Sequence, residues 1–197
     1  DVLWVGSPGL ASSLARAVPA AAQSHRPASW PAVRRVLVVV GSQHPANGVQ
    51  VEQLEAAGAA IVRARAPMSP PLTLVEAIVA AFESADVVCL LAPEARIGVE
   101  AGGAAELARW LGAAVERSSA AFDGLVATGG DTARRLAEAL GAEAMDLAGE
   151  VEPGVPVGLL HSRQGRLPFA TKAGGFGNAL TLHRCVAALR SKGASRP

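Results

Sequence analysis

The alternation of short apolar runs with longer helical patterns constrains this chain more than any single motif in it. Val2–Gly6 (VLWVG), Arg35–Ser42 (RVLVVVGS), Ala60–Ala66 (AIVRARA), Val87–Ala92 (VVCLLA) and Gly124–Gly129 (GLVATG) read as strands. Several are unbroken Val/Leu runs, as expected of parallel strands covered on both faces. Between them the spacing predicts helices over Pro8–Ala17, Asn47–Ala57, Pro71–Ser84, Glu100–Ser118 and Asp131–Leu140. Strand then helix, repeated, builds right-handed βαβ units. The expected class is α/β: a doubly wound, mostly parallel, Rossmann-like sheet with helices on both faces in three layers. The last part breaks this rhythm. Val155–Ser162 and Arg166–Ala173 flank a short turn and read as a hairpin-like strand pair, with a final helix over Phe176–Arg190. Pro19–Pro31 reads as one long loop. No repeat or second boundary is visible, so residues 1–197 read as one domain.

Half of the 197 residues are hydrophobic and 18% are charged, enough apolar material for a sizeable core. The formal net charge of +1 argues against nucleic acid or an anionic membrane as partner. Aromatic content is 4%, with no Tyr, so a base-stacking platform is also disfavoured. No apolar stretch reaches the roughly 20 residues of a membrane span. Cys89 and Cys185 lie in apolar segments without CxxC spacing and read as reduced, buried thiols of a cytoplasmic protein. The opening Asp1-Val2-Leu3 carries no basic leader and reads as a chain cut just before a strand.

In an open parallel sheet, ligands sit beyond the carboxyl ends of the strands. Three glycine-marked corners follow such ends. In Gly41-Ser42-Gln43-His44-Pro45-Ala46-Asn47, Gly41 admits close approach to the backbone, Ser42 offers a hydroxyl and an amide, and Asn47 is a helix cap. In Gly129-Gly130-Asp131-Thr132, the glycines remove side-chain bulk, and the amides at a helix start favour an anion. Asp131 or Thr132 reads as the cap there. Asp131 would alternatively hold a metal ion riding on phosphates. In Thr171–Asn178 (TKAGGFGN), Lys172 stands beside Gly174, Gly175 and Gly177, so charge and exposed amides coincide, which suits a nucleotide phosphate or base. The plainer alternatives are a strand-to-helix turn at the first corner, a capped turn at the second and a lysine on a solvated loop at the third. Val5–Ala11 has the same form without charge, with Ser7 a weak ligand candidate.

Several signatures are missing. No GxxxxGK[ST], spaced GxGxxG, HExxH, clustered Cys/His pattern or GxSxG elbow occurs. No metal site is therefore expected from protein ligands alone. His25, His44, His161 and His183 are scattered and read as structural, His44 being the nearest to a corner. Glu94, Arg96 and Glu100 read as a solvated loop.

The segments VLVVVGSQHPANGVQVEQL, LVATGGDTARRLAEALG and FATKAGGFGNALTLHRCVAAL, with LWVGSPGLASSLA before them, together resemble the C-terminal nucleotide-binding domain of the four-carbon acid sugar kinases. The resemblance covers nearly the whole chain. It implies phosphorylation of a threonate- or erythronate-class sugar acid by ATP, with Mg2+. It places Ser42 at the ATP site, makes Gly129, Gly130, Asp131 and Thr132 a nucleotide-contacting loop, and gives Gly174 an ATP contact within Lys172–Gly177. The family usually continues its first loop with Ser-Pro and Thr, then a Gln on the helix. Here His44, Pro45 and Asn47 stand there, and Gln50 is retained. The family's N-terminal substrate domain, with its acidic ADD-type motif, has no counterpart here. The catalytic base and the sugar-acid contacts are expected from that domain, so this part alone should be inactive. Homodimerisation is left open. Other readings are a non-catalytic nucleotide or sugar-phosphate module, a lipid- or NAD-kinase relative suggested by Gly-Gly-Asp, and a nicotinamide-binding oxidoreductase domain.

Overall fold

A computed structural model describes residues 8–17, 30–41, 44–65, 71–93 and 103–192. The expected first strand Val2–Gly6, Ser7, His25, Ser42, Glu94, Arg96, Glu100 and most of the Pro19–Pro31 loop lie outside the described residues. In chain order the elements are α1 (Pro8–Ala17), β1 (Val36–Val40), α2 (Pro45–Ala56), β2 (Ala60–Arg63), α3 (Pro71–Ser84), β3 (Val87–Leu91), α4 (Gly103–Arg117), β4 (Gly124–Thr128), α5 (Gly130–Ala139), β5 (Ala144–Glu152), β6 (Val155–Ser162), β7 (Gly165–Lys172) and α6 (Thr181–Lys192).

Seven strands form one sheet in the order β2-β3-β1-β4-β7-β6-β5. Its first five strands are parallel, and β6 runs antiparallel to both β7 and β5. The expected class holds. All of β1 is buried because its Val/Leu residues alternate between two covered faces. Leu37 and Val39 pack with Leu74 and Ile78 of α3, Leu111 and Val115 of α4, and Leu136 of α5. Val36, Val38 and Val40 pack with Val51 and Leu54 of α2 and Leu182, Cys185 and Leu189 of α6. Trp30 seals that second layer, its indole Nε1 donating to the Leu189 carbonyl at 2.8 Å.

Two elements differ from the sequence reading. Strand β5 was not expected: AMDLAGEVE intersperses acidic residues among apolar ones and lies at the sheet edge, where one side of each residue meets water. It is also bulged, with register shifts at Leu147/Gly149 and Glu150/Glu152, so its alternation is broken. Helix α6 starts at Thr181 rather than Phe176. Gly177 has φ 84°, a conformation no helix contains. Asn178 then caps the next turn, its Oδ1 accepting from Leu180 N at 3.0 Å.

Both cysteines are buried and unpaired. Burial pushes each thiol up to about 12. Neither should react with an aromatic disulfide reagent in the native chain, and both should react in denaturant. Rapid labelling of either in buffer would place it at the surface.

Candidate functional site

The strand order decides which loops meet. β1, β4 and β7 are neighbours, and being parallel they deliver their carboxyl ends to one rim. The chain leaves β1 for α2 on one face, and leaves β3 and β4 for α4 and α5 on the other. Neighbouring strands whose connections part to opposite faces leave a crevice between them, where α/β sheets hold ligands.

The three glycine corners interlock on this rim. Gly129 N donates to the Lys172 carbonyl at 2.9 Å, joining the second corner to the third. A Cβ on Gly41 would overlap Thr132 Oγ1, so the first corner rests on the second. A Cβ on Gly175 would stand 2.9 Å from His44 Nε2, so the third rests on the first. Gly129, Gly130, Asp131, Thr132, Lys172, Gly174 and Gly175 therefore gather in one place. Gly41 ends on the same rim, and Ser42, which follows it, lies outside the described residues.

Two clefts flank the end of β1. One, of about 260 Å3, is lined by Gly41, Gly129, Gly130, Asp131, Thr132 and the α4 residues Leu107, Ala108 and Leu111. The other, of about 430 Å3, lies under α2, between His44, Asn47, Gly48 and Val51 on one side and Val40, Leu91 and Ala92 on the other. A third cleft, of about 270 Å3, lies beside Phe122, Asp123 and the β6–β7 turn at the opposite rim, away from these corners.

The roles of individual side chains differ from the sequence reading in three ways. Helix α5 has Gly129 at its N-cap, with φ 92°, and no side chain caps it. Asp131 is exposed and Thr132 is buried against Gly41. The cap of α2 is His44, whose Nδ1 accepts from Ala46 N at 3.2 Å, with Pro45 opening the helix. Asn47 sits in the first turn and is 3% exposed. Lys172 is 2% exposed rather than solvated, and lies beneath its corner. Burial lowers its pKa from the ordinary lysine value.

Sequence reasoning missed a polar layer below the rim: it took Asn47 as a cap and Gln50 only as a residue kept from the family pattern, and it passed over Thr128, Glu152 and Thr181. Asn47 and Gln50, three apart on α2, both face inward. Gln50 Nε2 donates to the Phe176 carbonyl at 3.1 Å. Thr181 donates from Oγ1 to Glu152 Oε1 at 2.6 Å, tying α6 to the end of β5. Gln50 Oε1 and Thr128 Oγ1 are buried without a partner among the described residues. The available signal was polar side chains at positions three apart on the inward face of a helix. Among the other histidines, His161 pairs with Asp146 at 2.8 Å across β5 and β6, and His183 is exposed. No group of three or more His, Cys, Asp or Glu that could hold a metal occurs among the described residues.

The model of a family described as a nucleotide-binding C-terminal domain matches residues 37–182. A D-threonate kinase from Bordetella bronchiseptica is 41% identical over 202 residues, covering 95% of this chain and 46% of that protein. A D-threonate kinase from Cupriavidus necator is 36% identical over 197 residues, covering 91% and 45% respectively. The chain thus spans about half the length of the curated relatives it matches. Among solved structures, a domain of unknown function from Bordetella bronchiseptica, crystallised with bound citrate as a domain-swapped dimer, superposes with a TM-score of 0.69 at 37% identity. The match covers 81% of this chain and 42% of that one.

Proposed function

We propose, since this chain belongs to the four-carbon acid sugar kinase family as its nucleotide-binding C-terminal domain, that the rim where β1, β4 and β7 end holds ATP for phosphoryl transfer to a sugar acid. The observation that carries this reading is the mutual contact of three glycine corners beside two clefts at a chain-crossover crevice. Phosphates lie over Gly129–Thr132 and the turn at Gly174 and Gly175, where backbone amides and the start of α5 favour negative charge. Ser42, next to Gly41, contributes from the first corner. The cleft under α2 has room for the base or ribose.

Mg2+ fits the donor set in one respect. Asp131 is the one carboxylate lining the glycine cleft among the described residues, and this ion commonly takes one or two carboxylates together with substrate phosphates. When bound, the ion neutralises charge on the transferring phosphoryl group. Asp131 would otherwise repel a bare phosphate, so its exposed place in the cleft supports a metal-bound nucleotide.

The threonate class of acceptor is proposed from the relatives. The catalytic base and the acceptor contacts belong, in this reading, to a second domain, and the remaining domain organisation is proposed with them. A homodimer is proposed from the domain-swapped dimer of the solved relative, and cytoplasmic residence from the two free, buried cysteines. Among the described residues, no helix is long and apolar enough to cross a membrane.

Fluorescent ATP and fluorescent NAD titrated in parallel into this chain should show saturable binding of the first alone. Radiolabelled ATP and threonate should yield no phosphothreonate with this chain, and should yield it with a full-length protein that carries it. Preference for NAD would remove the kinase reading, and turnover by this chain alone would remove the division of labour.

A further inference from the structure

Lys172 ends β7 with its side chain tucked under the corner it precedes. Its Nζ lies 2.9 Å from Asn47 Oδ1, 3.2 Å from the Ala173 carbonyl, 2.9 Å from the Gly174 carbonyl and 3.2 Å from the Phe176 carbonyl. An ammonium has three protons, so these four oxygens use every donor it has. A buried cation without such partners is strongly disfavoured, and the ring of oxygens offsets that.

The ring has a consequence on its other side. In a trans peptide the N–H points opposite to the C=O. The Ala173, Gly174 and Phe176 carbonyls turn towards Lys172. The amides sharing those peptide planes belong to Gly174, Gly175 and Gly177, and they turn away from it. Gly175 and Gly177 are exposed and Gly174 is half-buried. None of the three amides donates to another described residue. Successive amides displayed from one turn are the usual construction of an anion-binding concavity. The cation beneath and the free amides above are two sides of the same peptide planes.

We propose that Lys172 is a positioning residue: its ammonium acts as a tethered cation that draws three carbonyls inward and thereby presents the Gly174, Gly175 and Gly177 amides to the nucleotide phosphates, without touching the nucleotide. This rests on the nucleotide reading above, and it reverses the role that the sequence suggested for this lysine. The chain carries its own counterpart of a bound monovalent cation. Removing the side chain leaves a small oxygen-lined hole that a free ammonium ion can fill.

The test uses this chain in three forms: wild type, Lys172→Ala, and Lys172→Met, which keeps the side-chain volume. Fluorescent ATP affinity should fall roughly tenfold or more in both variants, the loss of about one good hydrogen bond to the phosphates. Ammonium or ethylammonium should restore most of the affinity of Lys172→Ala. Tetramethylammonium, which has the charge but no N–H, should not. In proton–nitrogen spectra without nucleotide, the amide peaks of Gly174, Gly175 and Gly177 should move in Lys172→Ala and return with ammonium. The wild-type Lys172 ammonium signal should stay put on saturation with ATP. Should Lys172→Ala not fold, the Lys172→Met affinity and the wild-type ammonium signal decide alone. Unchanged affinity in the variants would overturn the proposal. So would an ammonium signal that shifts strongly with ATP, because Lys172 would then be a ligand. A wild-type chain that does not bind ATP at all would instead remove the nucleotide reading on which the proposal rests.

Discussion

Gly41→Ala is expected to loosen the joint between the first two corners, lowering stability and ATP affinity together. A Cβ at this position would overlap Thr132 Oγ1 and stand 2.8 Å from its Cγ2 and 2.9 Å from its Cβ. Thr132 is 7% exposed and β-branched, so its side chain has little freedom to swing aside. The strand before Gly41 is buried on both faces and cannot retreat. The overlap must then be relieved by moving backbone, either the end of β1 or the start of α5. Overpacking of this kind costs about 1–3 kcal/mol, or roughly 2–12 °C in melting temperature for a chain of this size. ATP affinity should fall in parallel, because the displaced backbone carries Ser42 on one side and Gly130-Asp131 on the other. The partner substitution Thr132→Gly removes all three crowding atoms. Added to Gly41→Ala, it should recover part of the loss, so the two changes should couple favourably in a double-mutant cycle. Thermal melts and ATP titrations of the four chains measure this. A Gly41→Ala chain that melts and binds like wild type would mean that the two corners do not rest on each other.

The parts of the molecule that sequence made legible are those where one residue type has one physical meaning. A run such as VLVVV can be buried on both faces and little else, so β1 was readable without a structure. Helix α3, bounded by Pro71 and Ser84, was equally plain. What the periodicity lacks is neighbour information. Nothing in the three corner segments says that β7, the last strand in sequence, lies beside β4 rather than at an edge. That adjacency brings Gly129 within a hydrogen bond of Lys172. Strand β5 was missed because half of its environment is water, and polar residues there satisfy the sheet as well as apolar ones do. The burial of Lys172 was not legible for a related reason. A lysine among glycines has the composition of an exposed loop, and the oxygens that let it be buried are Asn47 Oδ1 from the inward face of α2 and three carbonyls of its own corner. Sequence marked the corners as unusual, while the direction of each side chain depended on contacts across the fold.

Gly130→Ala should separate the needs of the ligand from those of the fold. The neighbouring Gly129 has φ 92°, so a side chain there is strained whatever the space around it. Gly130 is under no such demand. It is the first residue of α5, its φ is not positive, and a Cβ built on it meets nothing within 4 Å. Alanine is a better helix former than glycine and restricts the unfolded chain, worth about 0.4–1 kcal/mol at a compatible site. The substituted chain should therefore melt at the wild-type temperature or up to roughly 4 °C above it. Folding thus gives no reason for glycine at this exposed position. Gly130 does line the glycine cleft beside Asp131. A methyl group there would occupy space through which a phosphate oxygen must pass to reach the amide. ATP affinity should fall about tenfold or more, with valine worse than alanine at the same position. Gly48 offers a parallel case in the larger cleft, since a Cβ there also meets nothing within 4 Å. If Gly130→Ala binds fluorescent ATP as tightly as wild type, the phosphates do not lie over this corner and the rim needs another ligand. Reduced affinity in a chain that melts no lower can come only from the space the methyl group takes.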